Sequence, residues 1–305
     1  MSPLVVIAFP GAPNLPLLAA LEHGDFADAG LSVELEVTAS STEQMTRLVR
    51  GACQIAATAC DNVIAYHAGR GALAEPAPDL VVLAGASRIE LSVVARPGVE
   101  TYADLCGRSV ALDAPDTGFA FVLYELLHRA GLGREDYEAA AVGATPARLE
   151  SVLAGEHAAT LTIEPFTSLA LARGCSRLGT SRTLGPYLGG VLAARRSWAA
   201  ADAEAAAGFL RGYLRGLAWT RAAAHRAAAA DLLRRRMPAI PPERAGAVLS
   251  DLLSPATGLV PDGNVDLEGM RGVLELRRRW GTQGTGLGEP AAYHDPTYLE
   301  RARRG

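Results

Sequence analysis

The sequence predicts a two-lobed α/β protein, each lobe a largely parallel sheet with helices on both faces. Its length, 305 residues, exceeds what one hydrophobic core usually serves. Short apolar runs alternate with helical patterns in two successive stretches of similar size, the rhythm of βα units. The connections between them are short and polar. Hydrophobic residues make up 49% of the chain and charged residues 20%. That balance excludes wholesale disorder, collagen-like repetition and a small disulfide-stapled scaffold.

Taking the chain in order, residues 4–9 form a short apolar run that reads as a strand, and Pro10-Gly11-Ala12-Pro13-Asn14 follows as a turn. Apolar residues recur at helical spacing over 15–23, with Gly24 just past the end. Leu31, Val33, Leu35 and Val37 alternate with polar neighbours, as in a half-buried strand. Ser41-Thr42-Glu43-Gln44 has the form of a capping box and predicts a helix to Arg50. Residues 54–58 read as strand, and Asp61 opens a helix to about Gly69. The unbroken apolar run 80–84 suits a strand buried on both faces.

Further strands are expected at 91–95, 109–112, 139–142 and 159–163. Helices are expected at 119–130, at 147–154 behind Thr145-Pro146, and at 166–173 behind Glu164-Pro165. A short helical turn opens at Thr101-x-x-Asp104. After a turn at 184–187 and a strand at 190–194, the chain is nearly all helical, at about 199–222, 225–237, 243–253 and 266–280. This tail is expected to pack back on one of the halves. No internal repeat or low-complexity linker is visible.

Several chemistries are excluded at once. The chain has no lysine, so all 29 basic residues are arginine. Schiff-base, Walker-A and lysine-base chemistry go, and covalent pyridoxal chemistry in its usual form with them. A formal net charge of −4 leaves no basic excess, so no nucleic-acid partner is expected. Cys53, Cys60, Cys106 and Cys175 form no CxxC pair and have no histidine at metal-ligand spacing. They read as structural thiols, and neither metal nor cofactor is expected. No HExxH, G-x-S-x-G elbow or dinucleotide fingerprint occurs. No early basic residue precedes the first apolar run, and Pro10-Gly11 ends it, so it reads as a strand rather than a secretory signal. No run is long enough to span a membrane. The runs Arg234-Arg235-Arg236 and Arg277-Arg278-Arg279 read as solvated helix faces.

In open α/β sheets the ligand lies beyond the carboxyl ends of the strands. Here the turns at 10–14, 39–42, 58–61, 113–118, 143–145 and 162–165 would line one cleft, where helix N-termini present free N–H groups. Asp116-Thr117-Gly118-Phe119 is the sharpest feature. Thr117 and the Gly118 N–H hold a polar ligand group and Phe119 packs on a ring, or Asp116 simply caps a helix. Asp61 and Glu164 carry the same two readings. Together with Asp113 they make the cleft rich in carboxylate, which favours a cationic or amine-bearing ligand over a sulfonate or phosphate. Arg88 either pairs a ligand carboxylate or is an ion-paired arginine.

Specific phrases then point to a family. Asn14-Leu15-Pro16-Leu17-Leu18-Ala19-Ala20-Leu21-Glu22-His23-Gly24-Asp25-Phe26, followed by Ala29-Gly30-Leu31-Ser32-Val33-Glu34-Leu35, resembles the opening of NMT1/THI5-like substrate-binding proteins of ABC transporters. These include binders of aliphatic sulfonates, taurine, nitrate and thiamine precursors. Leu48-Val49-Arg50-Gly51, Gln54-Ile55-Ala56 and Asp104-Leu105-Cys106-Gly107-Arg108-Ser109-Val110-Ala111 match later phrases, and the resemblance runs through Gly185-Pro186-Tyr187 into the helical tail.

The resemblance implies a type II periplasmic-binding-protein fold, two α/β lobes joined by crossover strands at 91–95 and 190–194. Lobe 1 would comprise 1–90 and 190–305, and lobe 2 would be 91–189. Family ligand positions fall on Asn14, Ser41, Thr42, Thr58, Asp61, Ser87, Asp116, Thr117, Gly118, Thr145 and Glu164. The implied partners are a small organic ligand, amine-bearing or heteroaromatic, and an ABC permease, with the protein itself a monomer. The resemblance implies a periplasmic location, whereas a native start at Met1 implies a cytoplasmic one. The thiamine-pyrimidine enzymes of this family use a cysteine-rich motif and a pyridoxal lysine, and neither is present. Two alternatives stay open on the same fold: a lyase- or decarboxylase-like enzyme with Asp61, Asp116 or Glu164 as acid or base, and a cytoplasmic ligand sensor.

Overall fold

The computed structural model describes residues 3–73, 76–282 and 286–305, and no helix among them is long and apolar enough to cross a membrane. The chain begins with β1 (Leu4–Ala8), α1 (Leu15–His23), α2 (Asp25–Asp28), β2 (Val33–Val37), α3 (Ser41–Val49), β3 (Ile55–Ala59), α4 (Cys60–His67) and β4 (Leu80–Ser87). It continues through β5 (Ser92–Ala95), β6 (Ser109–Leu112), α5 (Gly118–Arg129), β7 (Glu138–Ala141), α6 (Thr145–Leu153), β8 (Ala159–Thr162), α7 (Phe166–Ala172) and β9 (Ser176–Thr180). It ends with β10 (Gly190–Arg195), α8 (Arg196–Ala201), α9 (Ala203–Arg221), α10 (Arg226–Arg236), α11 (Ala245–Leu252), α12 (Leu267–Trp280) and α13 (Thr297–Arg304).

Among these residues the strands form two five-stranded sheets, β2-β1-β3-β10-β4 and β7-β6-β8-β5-β9. In the first, β1 is parallel to β2 and β3, and β10 runs antiparallel between β3 and β4. In the second, β6 is parallel to β7 and β8, and β5 runs antiparallel between β8 and β9. Each reversed strand enters directly from the other sheet. The chain therefore crosses between lobes twice, through 88–91 and 181–189, and the two-lobed α/β expectation holds.

Local signals explain most elements. Gly24, at φ 79°, supplies the left-handed cap that ends α1. The helix over 41–49 starts one residue before the capping box predicts: Ser40 accepts from the Glu43 N–H, and the Glu43 carboxylate accepts from the Thr38 hydroxyl at 2.6 Å instead of closing the box. Thr117 rather than Asp116 caps α5, accepting from Ala120 N–H. The single helix expected over 199–222 is divided at Asp202, whose carboxylate caps α9.

Three elements went unread, the one-turn helix α2 among them. The strand β9, Ser-Arg-Leu-Gly-Thr, lacks an apolar face and exists as an edge beside β5. The helix α13 buries Tyr298, Leu299 and Ala302 and packs on α9. Every residue of β4 is buried as expected, although β4 is an edge strand. The reason lies in the tail: backbone bonds from Val82 to Tyr293, Gly85 to Gly263 and Arg88 to Gly258 cover the exposed rim.

The tail does not confine itself to one half. Helix α12 packs on α4 of the first lobe and on α5 of the second. A continuous apolar core follows it, from Ile7 and Ile64 through Val273 and Leu274 to Phe121 and Val110. At its centre stands Arg277, only 2% exposed, which corrects its reading as part of a solvated face. Its Nε and Nη2 donate to both carboxylate oxygens of Asp61 at 2.6 and 2.7 Å. Nη2 also donates to the Asp116 carbonyl at 3.3 Å, and the guanidinium lies 4.8 Å from the centre of the Phe121 ring. Trp280 Nε1 and Arg279 extend the junction to Glu125 on α5.

Removing one member of a buried, bidentate pair leaves the other charge unpaired, at a cost of about 3–5 kcal/mol. Asp61→Ala and Arg277→Ala are each expected to destabilise by that amount in urea denaturation. The double variant is expected to lose less than the sum of the two, because the second removal takes away a charge already unpaired.

Candidate functional site

A cavity of about 410 Å³ lies where the two sheets face each other. Its wall is assembled from the turns after β1, β2, β3, β6, β7 and β8, together with the ends of β4 and β10. The parallel strands of both sheets deliver their following helices to this space, so the six expected turns meet there.

Of the expected positions, Asn14, Ser41, Thr42, Thr58, Ser87, Thr117, Gly118, Phe119 and Thr145 all line the cavity. Asp61, Asp116 and Glu164 do not line it. Asp61 is turned away into the pair with Arg277 and caps nothing, since the cap position of α4 is Ala59, which offers no side-chain bond. Asp116 faces the tail, its carboxylate accepting from Thr282 N–H and standing 3.9 Å from Arg277. Glu164 folds back on its own helix toward Ser168 N–H. Arg88 pairs with Asp266 at 3.3 Å and donates to the Pro255 carbonyl, away from the wall.

The polar groups that do line the wall are mostly tied to the protein. The Asn14 amide donates to Phe9 O, and the Asn62 amide donates to the Thr58 hydroxyl. The Thr117 hydroxyl donates to Asp113 at 2.8 Å. Gly118 serves packing as well as lining. A Cβ there would stand 2.5 Å from the Asp61 Cβ, so only glycine lets α5 begin against α4.

Two ionisable side chains line the cavity among the described residues, Asp113 and Arg148. Arg148 is 2% exposed and donates to Thr160 Oγ1, Gly143 O, Thr145 Oγ1 and Leu161 O. Burial pushes its pKa down, against the opposing field of Asp113. Burial likewise pushes the Asp113 carboxyl up, against Arg148 and the Thr117 hydrogen bond. The rest of the wall is largely apolar, from Phe9, Leu17, Ile89, Phe119, Ile163 and Phe166.

Reasoning from the sequence missed Arg148, Ile89, Phe166 and Tyr213. Phe166 directly follows an expected turn, so its position was available. Arg148 and Tyr213 sit within helices, and only tertiary packing brings them to the cavity. Ile89 lies in the first crossing with φ 51°, a conformation that costs a β-branched residue about 1–3 kcal/mol. Gly189 of the second crossing lies against it, with room for no Cβ: one would come within 2.6 Å of the Ile89 Cβ.

The model of the NMT1-like family matches residues 7–234. No curated protein matches the sequence. Solved structures match over nearly the whole chain. The periplasmic nitrate-binding protein NrtA of Synechocystis PCC 6803 superposes with a TM-score of 0.83 at 15% identity, covering 100% of this chain and 89% of NrtA. The periplasmic aliphatic sulphonate binding protein SsuA of Escherichia coli gives 0.67 at 22% identity, with 91% and 90% covered. A Candida albicans protein described as having the generic periplasmic binding protein fold gives 0.75 at 14% identity, with 99% and 95% covered. At these identities the likeness establishes the fold.

Burial holds the Glu164 carboxyl above the ordinary carboxylate range, opposed in part by its bond to Ser168. The folded chain therefore binds this proton more tightly than the unfolded chain. The stability it contributes is full below the unfolded pKa and is lost as pH rises through the folded value. Glu164→Gln is expected to raise the melting temperature at neutral pH, with the gain disappearing as both proteins are taken below the unfolded pKa. Thermal melts across that range check it.

Proposed function

We propose, from the premise that the chain belongs to the NMT1-like family, that it is a solute-binding protein. It captures a small organic molecule between its lobes and presents it to an ABC-type uptake system. The observation that carries this reading is the cavity of about 410 Å³ walled by turns of both lobes. That volume falls within the range of small-molecule sites, about 300–1,000 Å³. Two proteins of the same fold, NrtA and SsuA, are described as periplasmic binders of nitrate and of aliphatic sulphonates, which supports capture as the role.

The geometry supports a closure mechanism. A molecule held by turns of both sheets gains its full contacts only when the lobes are together, so binding shifts the population toward the closed arrangement. The chain passes between the sheets at Ile89 and Gly189, which pack on each other, with Ile89 in the cavity wall, and this reading places the hinge there. The permease then reads the closed shape.

Native mass spectrometry of freshly purified protein is expected to reveal one small molecule that is released unchanged on denaturation. Adding it back to stripped protein is expected to reduce the radius of gyration in small-angle X-ray scattering. A bound molecule that is chemically converted on standing, or that binds tightly without compaction, would sink the transport reading.

A further inference from the structure

We propose that the cleft selects an uncharged, ring-bearing molecule carrying one hydrogen-bond acceptor, and that the Tyr213 hydroxyl is the group that recognises the acceptor. This rests on the solute-capture reading above and names the substrate class of that site.

The first ground is charge. An ionised ligand buried here would need a partner, and the wall keeps its own charges occupied. Arg148 directs four N–H bonds to protein oxygens, so it cannot offer the two-pronged fork that grips an oxyanion. Asp113 accepts from Thr117 and lies in the field of Arg148. An added anion would meet Asp113, and an added cation would meet Arg148. Leaving a buried ion without a counter-charge costs several kcal/mol.

Helix N-termini are the other common anchor for anions, and among the described residues six of them border this cavity, those of α1, α3, α4, α5, α6 and α7. Two are already capped by side chains, α3 by Ser40 and α5 by Thr117. Of the rest, α1 and α6 carry Pro16 and Pro146 at their second positions, which removes one N–H from each first turn, α7 gives its Thr167 and Ser168 N–H groups to the Ile163 carbonyl and the Glu164 carboxylate, and α4 gives its Cys60 N–H to the Gly189 carbonyl. The remaining N–H groups suit a neutral acceptor better than a full negative charge.

The second ground is a pair of unpartnered hydroxyls. Ser87 Oγ and Tyr213 Oη are buried, each residue 1% exposed, and neither has a hydrogen-bond partner. Both residues line the cavity. A buried polar group without a partner is unfavourable by about 1–3 kcal/mol, and a ligand acceptor removes that deficit. Tyr213 comes from α9 and belongs to the core formed with Leu15 and Leu17, and its hydroxyl is covered by its neighbours, so an acceptor reaches it by displacing part of that cover. The rings of Phe9, Phe119 and Phe166 in the same wall favour a planar apolar body.

Four probes of one shape separate the terms: benzophenone, diphenylmethane, benzhydrylamine and diphenylmethanesulfonate. Isothermal titration calorimetry on the full chain, up to each probe's solubility limit, is expected to rank benzophenone first. The ammonium and sulfonate probes should bind at least about tenfold more weakly, the ratio that 1.4 kcal/mol produces. Tyr213→Phe should weaken benzophenone about five- to tenfold and leave diphenylmethane within about twofold. It should not lower the melting temperature, since the hydroxyl it removes has no partner. Irradiation of bound benzophenone should cross-link peptides of the cavity wall, a readout on the wild-type chain that does not depend on the variant.

A sulfonate or ammonium probe ranking first would overturn the class, as would no binding by any of the four. Equal loss of benzophenone and diphenylmethane in Tyr213→Phe would overturn the role of the hydroxyl. All these results leave the capture reading standing or falling on its own measurement, compaction by the co-purified molecule.

Discussion

Asp61 and Arg277 form the junction on which the rest of this structure depends. A carboxylate from the start of α4 and a guanidinium from α12 meet in a nearly solvent-free core, with Phe121 of the second lobe packed on the guanidinium. The attraction within such a pair is largely offset by the loss of hydration, so breaking the pair matters more than its net contribution. Two opposite charges this deeply buried are strongly unfavourable apart, which holds α12 on α4. The pair therefore sets where α12 lies across both lobes. Through Gly118, which rests on Asp61, it also sets where α5 begins. Thr117, Gly118 and Phe119 enter the cavity wall from that same turn, so the junction and the site are built together.

This arrangement determines the electrostatic character of the cleft. Carboxylates that follow strands in the sequence are drawn outward or inward by protein partners: Asp61 to Arg277, Asp116 to Thr282 and Arg277, Glu164 to Ser168. What remains in the wall among the described residues is one acid and one base, each engaged by neighbours, among aromatic and aliphatic side chains. The cleft is consequently apolar with directional hydrogen-bonding groups, a composition that discriminates by shape and by the placement of a few polar atoms. The strain at Ile89 and the missing side chain of Gly189 fall at the two crossings between the sheets.

Local chemistry was sufficient for most of the fold. Residues 15–23 form α1 as the periodicity and Gly24 require, and 109–112 form β6 as the apolar run requires. The edge strand β9 escaped because its residues have no buried face to create a pattern, and α8 and α9 read as one because alanine-rich sequence carries helical propensity through Asp202. The site was legible to the same degree. Turn residues such as Asn14, Ser41, Thr42, Thr58 and Thr145 reach the cavity because the carboxyl end of a strand places them there regardless of partner.

The sequence by itself determined the two α/β lobes, the order of their elements and the turns that face one another, because periodicity and turn chemistry act over a few residues. Tertiary structure alone decided which charges the cleft keeps. Asp61 and Arg277 stand 216 positions apart, and Arg148 reads locally as an ordinary helix surface residue until four protein oxygens close around it. Tyr213 lies mid-helix in the tail, yet packing makes it part of the cavity wall. Whether a charge is neutralised or presented depends on the partner that the fold brings to it, and no local pattern encodes that distance.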